Sequence, residues 1–538
     1  MTTSPLPLTE AYLVANGDMR LAANQQCWPA QAQLEAQLTQ ALLALGVRVT
    51  RAHGVDPHEH HGFISSQRMG MDVFRQIPKD APVIVAEAVW QYSHHVLAGL
   101  RAHRGPILTV ANWSGQWPGL VGLLNLNGSL TKMGIAYSTL WSENFKDDFF
   151  VSRLSEWVQS GRVTHDLSHV RPFDAQAVPA EHRALGTQLA HALLERQAIL
   201  GIFDEGCMGM YNAIVDDELL NPLGIYKERL SQSALYAGMQ QVTDDEALAA
   251  LNWLTERGMQ FVWGSDHAAE LTRAQTLDQL RMYVAAVRIA AQFGCDAIGI
   301  QYQQGLKDLA PASDLAEGLL NNPDRPPVHD ARTGEVLYPA QALPHFNEVD
   351  EGAAVDGLLT HQVWTALGLD PSNTLHDIRW GEDHEGQFVW VFMISGAAPA
   401  SHFKGGYAGA SSERQPPMFF AQGGGTLKGE SRPGALVWSR VYVRSGQLHV
   451  DLGLGQAVAL LEAEVQRRWA HTNPQWPIMN AVLEGVSRDQ MMAQHQANHI
   501  QVAYAPSRER AVEALNVKAT LFDTLGVRVH LCGLEARA

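Results

Sequence analysis

Two acidic residues, Glu348 and Asp350, stand where a proline-broken polar segment gives way to a predicted helix. That helix is indicated by apolar residues that recur at close to a 3.6-residue period: Val355, Leu358, Leu359, Val363 and Ala366. A third acid, Asp377, precedes the apolar run 388–394, which is typical of a buried strand. Acidic residues at the ends of helices and strands are candidates for metal ligands or catalytic bases. For Glu348 the alternative is a helix cap, because the helix dipole favours a carboxylate at an N-terminus.

A histidine could supply a nitrogen ligand to such a site. His499 follows Asn498 and directly precedes the apolar segment 500–504, which predicts a strand. The histidines within residues 58–61 are crowded into a polar loop without the i, i+4 spacing of a helical metal site, so we interpret them as surface or interface residues. His499 is the more specific candidate, although its position alone leaves a structural role open.

The composition restricts the class of protein. With 538 residues, 46% of them hydrophobic and 18% charged, the chain is expected to form about three globular domains. The formal net charge of −17 argues against an extended surface for nucleic acid or anionic membrane. Four scattered cysteines give neither a disulfide framework nor a CxxC zinc site, which fits a reducing compartment. Residues 1–10 lack a secretory pattern and no apolar run approaches the ~20 residues of a membrane helix, so we expect a soluble, cytoplasmic protein.

The first third of the chain alternates strand-like and helix-like segments. A helix is predicted from Trp28-Pro29 to Leu45, and short apolar strands are predicted at 11–15, 47–50, 83–86 and 107–110. This alternation is typical of a parallel sheet that is covered by helices on both faces. Functional groups cluster at the carboxyl ends of such strands, where Arg20 and Trp90 occur.

A second α/β unit is predicted to begin near residue 173. Its strand 297–300 ends at Gln301, whose amide could hold sugar-like hydroxyls or could equally cap a loop. Beyond residue 351 the pattern becomes β-rich, with alternating strands at 435–443 and 447–451. The predicted class is therefore α/β, with two N-terminal parallel-sheet (Rossmann-like) domains and a β-rich C-terminal domain: 1–172, 173–350 and 351–538.

Three groups of residues stand in an order that resembles the L-fucose isomerase family, which is related to L-arabinose isomerase: Glu348-x-Asp350, Asp377-Ile-Arg379 and Asn498-His499. The resemblance extends to Gly299-Ile-Gln301-x-Gln303, Ser395-Gly396, the glycines 423–425 and Pro474-x-Trp476-Pro477. It covers most of the chain and is strongest from 297 to 505. It implies two α/β domains ahead of a β-rich one, and a homo-oligomer, a hexamer or a trimer, with active sites between subunits.

The resemblance also implies a divalent metal bound by Glu348, Asp377 and His499. Two carboxylates and an imidazole suit Mn²⁺ and tolerate Mg²⁺ or Co²⁺. The implied reaction is aldose–ketose isomerisation through a cis-enediol, with Glu348 and Asp377 as catalytic base and acid. Trp90 would reach in from a neighbouring subunit, although core packing is the simpler interpretation of Trp90 and Trp476 without the resemblance. The implied substrate-binding residues are Arg20, Trp90, Gln301, Ser395, Trp476 and Asn498.

Several segments depart from the family's pattern. Residues 321–346 carry a proline-rich insertion, and residues 203–239 are only loosely similar. The strand pair that ends at 453–455 lacks the tyrosine expected to contact the substrate. The metal chemistry is therefore better supported than the identity of the sugar.

Two other functions are compatible with the sequence. An epimerase, lyase or decarboxylase of a sugar acid would keep the metal, and Arg20, Arg379 or Lys404 could bind the substrate carboxylate. A periplasmic-type sugar-binding protein also has paired α/β domains, but the third domain and the missing secretory pattern weigh against it. In each case the expected partner is a small sugar or sugar acid, with no nucleic acid and no membrane.

Overall fold

The three-dimensional structure is a computed structural model that describes residues 7–534. It has a mixed α/β architecture, with two parallel sheets ahead of a larger mixed sheet. The predicted α/β class is therefore confirmed, whereas the division into three domains stays a prediction. Residues 1–6, on which the expected lack of a secretory signal partly depends, lie outside the described residues. Among residues 7–534, no helix combines the length and the apolar character that crossing a bilayer requires.

The N-terminal part of the chain alternates five strands with five helices. The strands are β1 (Glu10–Val14), β2 (Arg48–Arg51), β3 (Val83–Glu87), β4 (Ile107–Asn112) and β5 (Ser138–Ser142). The helices are α1 (Leu21–Ala44), α2 (Gln67–Gln76), α3 (His94–Ala102), α4 (Gly119–Lys132) and α5 (Asp148–Ser160). The strands are parallel in the order β2-β1-β3-β4-β5, and every residue of β3 is buried, as a sheet covered on both faces requires.

Helix α1 begins earlier than the sequence predicts. It starts at Leu21, not at Trp28-Pro29, and Pro29 lies inside it. A proline within a helix removes one backbone hydrogen bond, but packing of the apolar face, with Leu38 fully buried, holds the helix on both sides of it. As a result, Arg20 directly precedes α1 on the carboxyl side of β1.

The middle of the chain forms a three-stranded parallel sheet. The strands in this part of the chain are β6 (Val170–Pro172), β7 (Ala198–Phe203), β8 (Ile225–Leu230), β9 (Gln260–Phe261) and β10 (Ala297–Ile300). Its helices are α6 (Ala180–Arg196), α7 (Asp217–Leu220), α8 (Gln232–Met239), α9 (Asp244–Glu256), α10 (Arg273–Phe293), α11 (Asp314–Leu320) and α12 (Glu351–Ala366). The sheet itself has the order β10-β7-β8, while β6 and β9 pair elsewhere.

The C-terminal part contains a closed barrel. The strands in this part of the chain are β11 (Asn373–His384), β12 (Gln387–Met393), β13 (Ser411–Ser412), β14 (Gly434–Arg444), β15 (Gln447–Ala457), β16 (Ile478–Leu483), β17 (His499–Ala505) and β18 (Arg528–Cys532). Its helices are α13 (Glu462–His471), α14 (Arg488–Gln494) and α15 (Arg508–Thr524). The order β14-β17-β11-β12-β16-β15 closes on itself, because β14 also pairs with β15. β18 and β6 extend the sheet from β15, and β13 pairs with β9.

Candidate active site

Glu348 lies in a strained turn just before α12. Its φ of 58° and the φ of 55° at Val349 put two consecutive non-glycine residues in the left-handed region, at a cost of about 1–3 kcal/mol each. Gln301 holds this turn by donating from Nε2 to the Glu348 carbonyl oxygen at 3.2 Å. The Cys207 thiol holds it by donating to the Val349 carbonyl oxygen at 2.6 Å. Strain of this kind concentrates at functional sites, and here it places Glu348 on the wall of a cavity.

The N-cap of α12 is Asp350. Its carboxylate accepts a hydrogen bond from the Ala353 amide at 2.9 Å. The interpretation of Glu348 as the helix cap is therefore wrong, since the acid two residues further along fills that position. This leaves the Glu348 carboxylate available to the cavity.

Asp377 and His499 are brought together by the barrel. They are directly opposed in the antiparallel pairing of β11 with β17, so their side chains lie on the same face of the sheet. His499 Nε2 is 3.5 Å from Asp377 Oδ1 and 3.9 Å from Glu348 Oε2. Both separations exceed a normal hydrogen bond, so the nitrogen faces two carboxylates without bonding to either.

Asp350 orients the His499 ring. Its Oδ2 lies 2.7 Å from His499 Nδ1 and accepts from Arg440 Nη1 at 2.6 Å, while its Oδ1 accepts from Arg440 Nη2 at 3.0 Å. Burial acts to raise the pKa of Asp350, but the Arg440 charge and the hydrogen bond from His499 hold that pKa far below its usual range. An ionised carboxylate can only accept, so Nδ1 carries a hydrogen, and in the neutral ring Nε2 presents its lone pair to the other two carboxylates.

The three candidate ligands disturb one another's ionisation. Burial raises the pKa of Glu348 to about 7, with a further rise from Asp377 and opposing effects of His499 and Arg20. Burial likewise raises the pKa of Asp377. Burial lowers the pKa of His499, but Asp350, Asp377 and Glu348 outweigh it, so the net shift is upward. Negative charge is thus crowded into a buried space that a cation would neutralise.

The donor set fits a divalent ion. Neighbouring ligands of an octahedral ion lie about 3 Å apart, somewhat closer than the separations from Nε2. Within residues 7–534, no group of three or more His, Cys, Asp or Glu side chains is close enough to enclose an ion as it stands. Small side-chain rotations of Glu348 and Asp377 would be needed, and two oxygens with one nitrogen suit Mn²⁺.

A cavity of about 460 Å³, including its open mouth, adjoins these residues. Four of the predicted substrate-binding residues line it together with Glu348 and Asp377: Arg20, Trp90, Ser395 and Trp476. Its remaining wall is formed by Pro118, Val121, Met208, Gln303, Arg379, Phe419 and Phe420. Trp90, expected from a neighbouring subunit, belongs to the same chain as the rest of the wall, and its buried indole Nε1 has no hydrogen-bond partner among the described residues.

The other two predicted substrate-binding residues stand behind the wall. Gln301 contacts the Glu348 backbone, as described above. Asn498 Nδ2 lies 3.4 Å from Asp377 Oδ1. Both are therefore placed to position a carboxylate, while Gln303 occupies the cavity wall that was expected of Gln301. The sequence carries no local signal for this difference, because residues two apart in an extended chain face the same side.

The cavity contains two arginines with different partners. Arg20 is paired with Asp18 through Nε at 2.8 Å and Nη2 at 2.5 Å. Arg379 lies at a bulge in β11 and is only 1% exposed, yet its guanidinium donates to neutral oxygens: Gly115 O, Gln116 O and Asn473 Oδ1. Burial lowers its pKa to about 10. Lys404, the third candidate cation, pairs with Glu430 and does not line the cavity.

Metal affinity is expected to rise with pH. Protons occupy the ligands below their raised pKa values, about 7 for Glu348, and a metal must displace them. For each proton that must be displaced, metal binding should weaken about tenfold per pH unit below the pKa of that ligand. Calorimetric titration with Mn²⁺ at pH 6 and pH 8, in buffers of different ionisation enthalpy, measures both affinity and proton release. Equal affinity at the two pH values, with no proton release, would contradict this.

The chain was also compared with known proteins. No protein-family model matches it, and no curated protein matches it significantly. The function is therefore inferred from the geometry of the cavity.

Proposed function

We propose that this protein is a divalent-metal-dependent isomerase that interconverts an aldose and a ketose through a cis-enediol. The observation that carries the proposal is His499 Nε2, oriented by Asp350 toward two carboxylates on a cavity wall. Mn²⁺ is the proposed ion, with Mg²⁺ or Co²⁺ as alternatives, because the donors are mostly oxygen.

Glu348, Asp377 and His499 would hold the ion, which when bound supplies Lewis-acid polarisation of a sugar carbonyl. Glu348, whose carboxylate lies on the cavity wall, is suited to take the proton from carbon 2 of an aldose and return it to carbon 1. Asp377 is suited to move the hydroxyl proton from oxygen 2 to oxygen 1. The two transfers balance, so aldose and ketose interconvert without an oxidant or reductant.

The rest of the wall suits a sugar. Trp90 and Trp476 offer flat apolar surfaces, against which the C–H face of a sugar can pack. Arg20, Gln303 and Ser395 offer polar groups for hydroxyls. All these residues belong to one chain, and the expected hexamer or trimer remains a proposal.

A second candidate is an epimerase, lyase or decarboxylase that acts on a sugar acid. The observation in its favour is Arg379, a buried guanidinium without an ion-pair partner in the described part of the chain, on the cavity wall. A substrate carboxylate would neutralise that charge. An enediolate that forms transiently from a neutral sugar would do so as well, and therefore the isomerase remains the first candidate.

Deuterium incorporation from D₂O, followed by NMR, tests the proposal. Metal-stripped protein, before and after addition of Mn²⁺, is incubated with aldoses, ketoses and sugar acids. Metal-dependent exchange at carbon 1 or 2 of a neutral sugar, with formation of its isomer, is the expected result. Exchange confined to sugar acids would favour the second candidate, and no exchange in any compound would reject both.

A further inference from the structure

Behind the cavity wall, a buried acid contacts Ser395. Asp314 is the first residue of α11 and is 3% exposed. The Ser395 hydroxyl donates to Asp314 Oδ1 at 3.1 Å, while Oδ2 has no hydrogen-bond partner among the described residues. Burying a carboxyl is costly, and this one is not neutralised by any ion pair within residues 7–534. Its one close side-chain hydrogen bond serves a residue of the cavity wall, which indicates a functional reason for the burial.

We propose that Asp314 is a positioning residue that holds the Ser395 hydroxyl as a hydrogen-bond acceptor toward the cavity. The inference rests on the proposed function, since it takes the cavity to bind a sugar. A serine hydroxyl has one hydrogen to donate. Because that hydrogen is engaged by Asp314, the lone pairs of Oγ remain for the ligand. The group bound there must be a donor, such as a sugar hydroxyl, whereas a carbonyl, an ether oxygen or a carboxylate is disfavoured.

The acid can perform this role in either ionisation state. Burial raises the pKa of Asp314 to about 8, so that a neutral form is present near neutral pH. The carbonyl oxygen of a neutral carboxyl accepts a hydrogen bond from serine, as a carboxylate oxygen does. An asparagine in the same place offers such an oxygen too, whereas alanine offers none.

Hydrogen bonds also fix the part of the cavity wall next to the Ser395 hydroxyl. Gln415 donates from Nε2 to the Ser395 carbonyl oxygen at 2.6 Å and accepts from Trp476 Nε1 at 2.7 Å. The indole N–H of Trp476 is therefore already engaged, and the ligand meets its ring. Gly396 has a φ of 101°, and a Cβ there would lie 2.6 Å from Gln415 Nε2, so this close turn requires glycine.

The Ser395 hydroxyl, as acceptor, and the ring of Trp476 together define one subsite. A sugar carbon presents a C–H and an O–H in different directions, which matches an apolar ring beside a fixed acceptor. The subsite thus selects a free hydroxyl of one configuration. Loss of Asp314 would let the Ser395 hydroxyl rotate and donate, which weakens that selection.

Calorimetry with two alditols tests the positioning role. L-Fucitol and L-arabinitol carry the hydroxyls of the sugars to which the resemblance points, but cannot isomerise. Each is titrated into Mn²⁺-loaded wild type, Ser395→Ala, Asp314→Ala, Asp314→Asn and the double alanine variant. We expect each single alanine variant to weaken binding about 5–10-fold, the double variant to be no weaker than Ser395→Ala, and Asp314→Asn to stay within about twofold of wild type.

The outcomes separate this inference from the proposed function. Additive losses in the double variant, or unchanged binding in Asp314→Ala, would overturn the positioning role while wild-type binding still supported a sugar site. If Asp314→Ala does not fold, a loss of binding in folded Asp314→Asn as large as in Ser395→Ala would overturn it. Wild type that binds Mn²⁺ but neither alditol would overturn the inference together with the fucose- or arabinose-like substrate.

Discussion

Glu348→Gln is expected to lower the rate of metal-dependent proton exchange by about 10³-fold or more. The amide cannot accept the proton that the carboxylate takes, a contribution of about 10²–10⁴-fold on its own. It also removes one anionic ligand, so Mn²⁺ affinity should fall at the same time. The rate is measured as deuterium incorporation by NMR at saturating Mn²⁺, and the affinity by calorimetry.

The same substitution at Glu351 is the matched control. This neighbouring carboxyl is fully buried, and it faces Lys227 Nζ at 2.7 Å and the Val215 amide, away from the cavity. Glu351→Gln should lower stability and leave Mn²⁺ binding and exchange within a few-fold of wild type. Full exchange activity in Glu348→Gln would remove this residue from the chemistry.

Asp350→Asn is expected to weaken both metal binding and folding. An amide can present its N–H₂ to His499 Nδ1 and so favour the wrong tautomer, for which a loss of about 10–100-fold in metal affinity is typical. Arg440, 1% exposed, loses its charge partner, which should cost about 3–5 kcal/mol of unfolding free energy. Asparagine caps helices well, so α12 itself should be unaffected. Calorimetry with Mn²⁺ and urea unfolding measure the two effects.

Asp356→Asn separates the metal effect from the loss of stability. Asp356 is a buried carboxylate paired with Lys518 at 2.5 Å, and neither residue lines the cavity. This variant should lose stability without any change in Mn²⁺ affinity. An Asp350→Asn protein that bound Mn²⁺ as tightly as wild type would show that His499 needs no orientation by Asp350.

The sequence was more informative about the chemistry of the site than about its geometry. Asp377 lies inside β11, whereas the element boundaries at Glu348 and His499 follow from hydrophobic periodicity. The proximity of Asp377 to His499 does not follow from periodicity, because it depends on the register of β11 with β17, two strands that are far apart in the chain. Pairing between distant strands leaves little trace in a local pattern.

The supporting residues were the hardest to predict. Asp350 lay in the recognised motif, but its role depends on Arg440 from β14, which has no local signature. Asp314 and Gln415 reach the cavity wall only through the packing of α11 and a loop onto the end of β12. The exchange of Gln301 for Gln303 on the wall reflects the exact direction in which the chain leaves β10, which periodicity cannot resolve.

The metal centre itself is tested most directly by Mn²⁺ binding to metal-stripped wild type and His499→Gln, followed by EPR. We expect about one tightly bound ion per wild-type chain, with coupling to an imidazole nitrogen. In His499→Gln that coupling should vanish, and affinity should fall by more than the about 100-fold that loss of an outer partner costs. Equal affinity and an unchanged spectrum in the variant would contradict a metal centre at Glu348, Asp377 and His499.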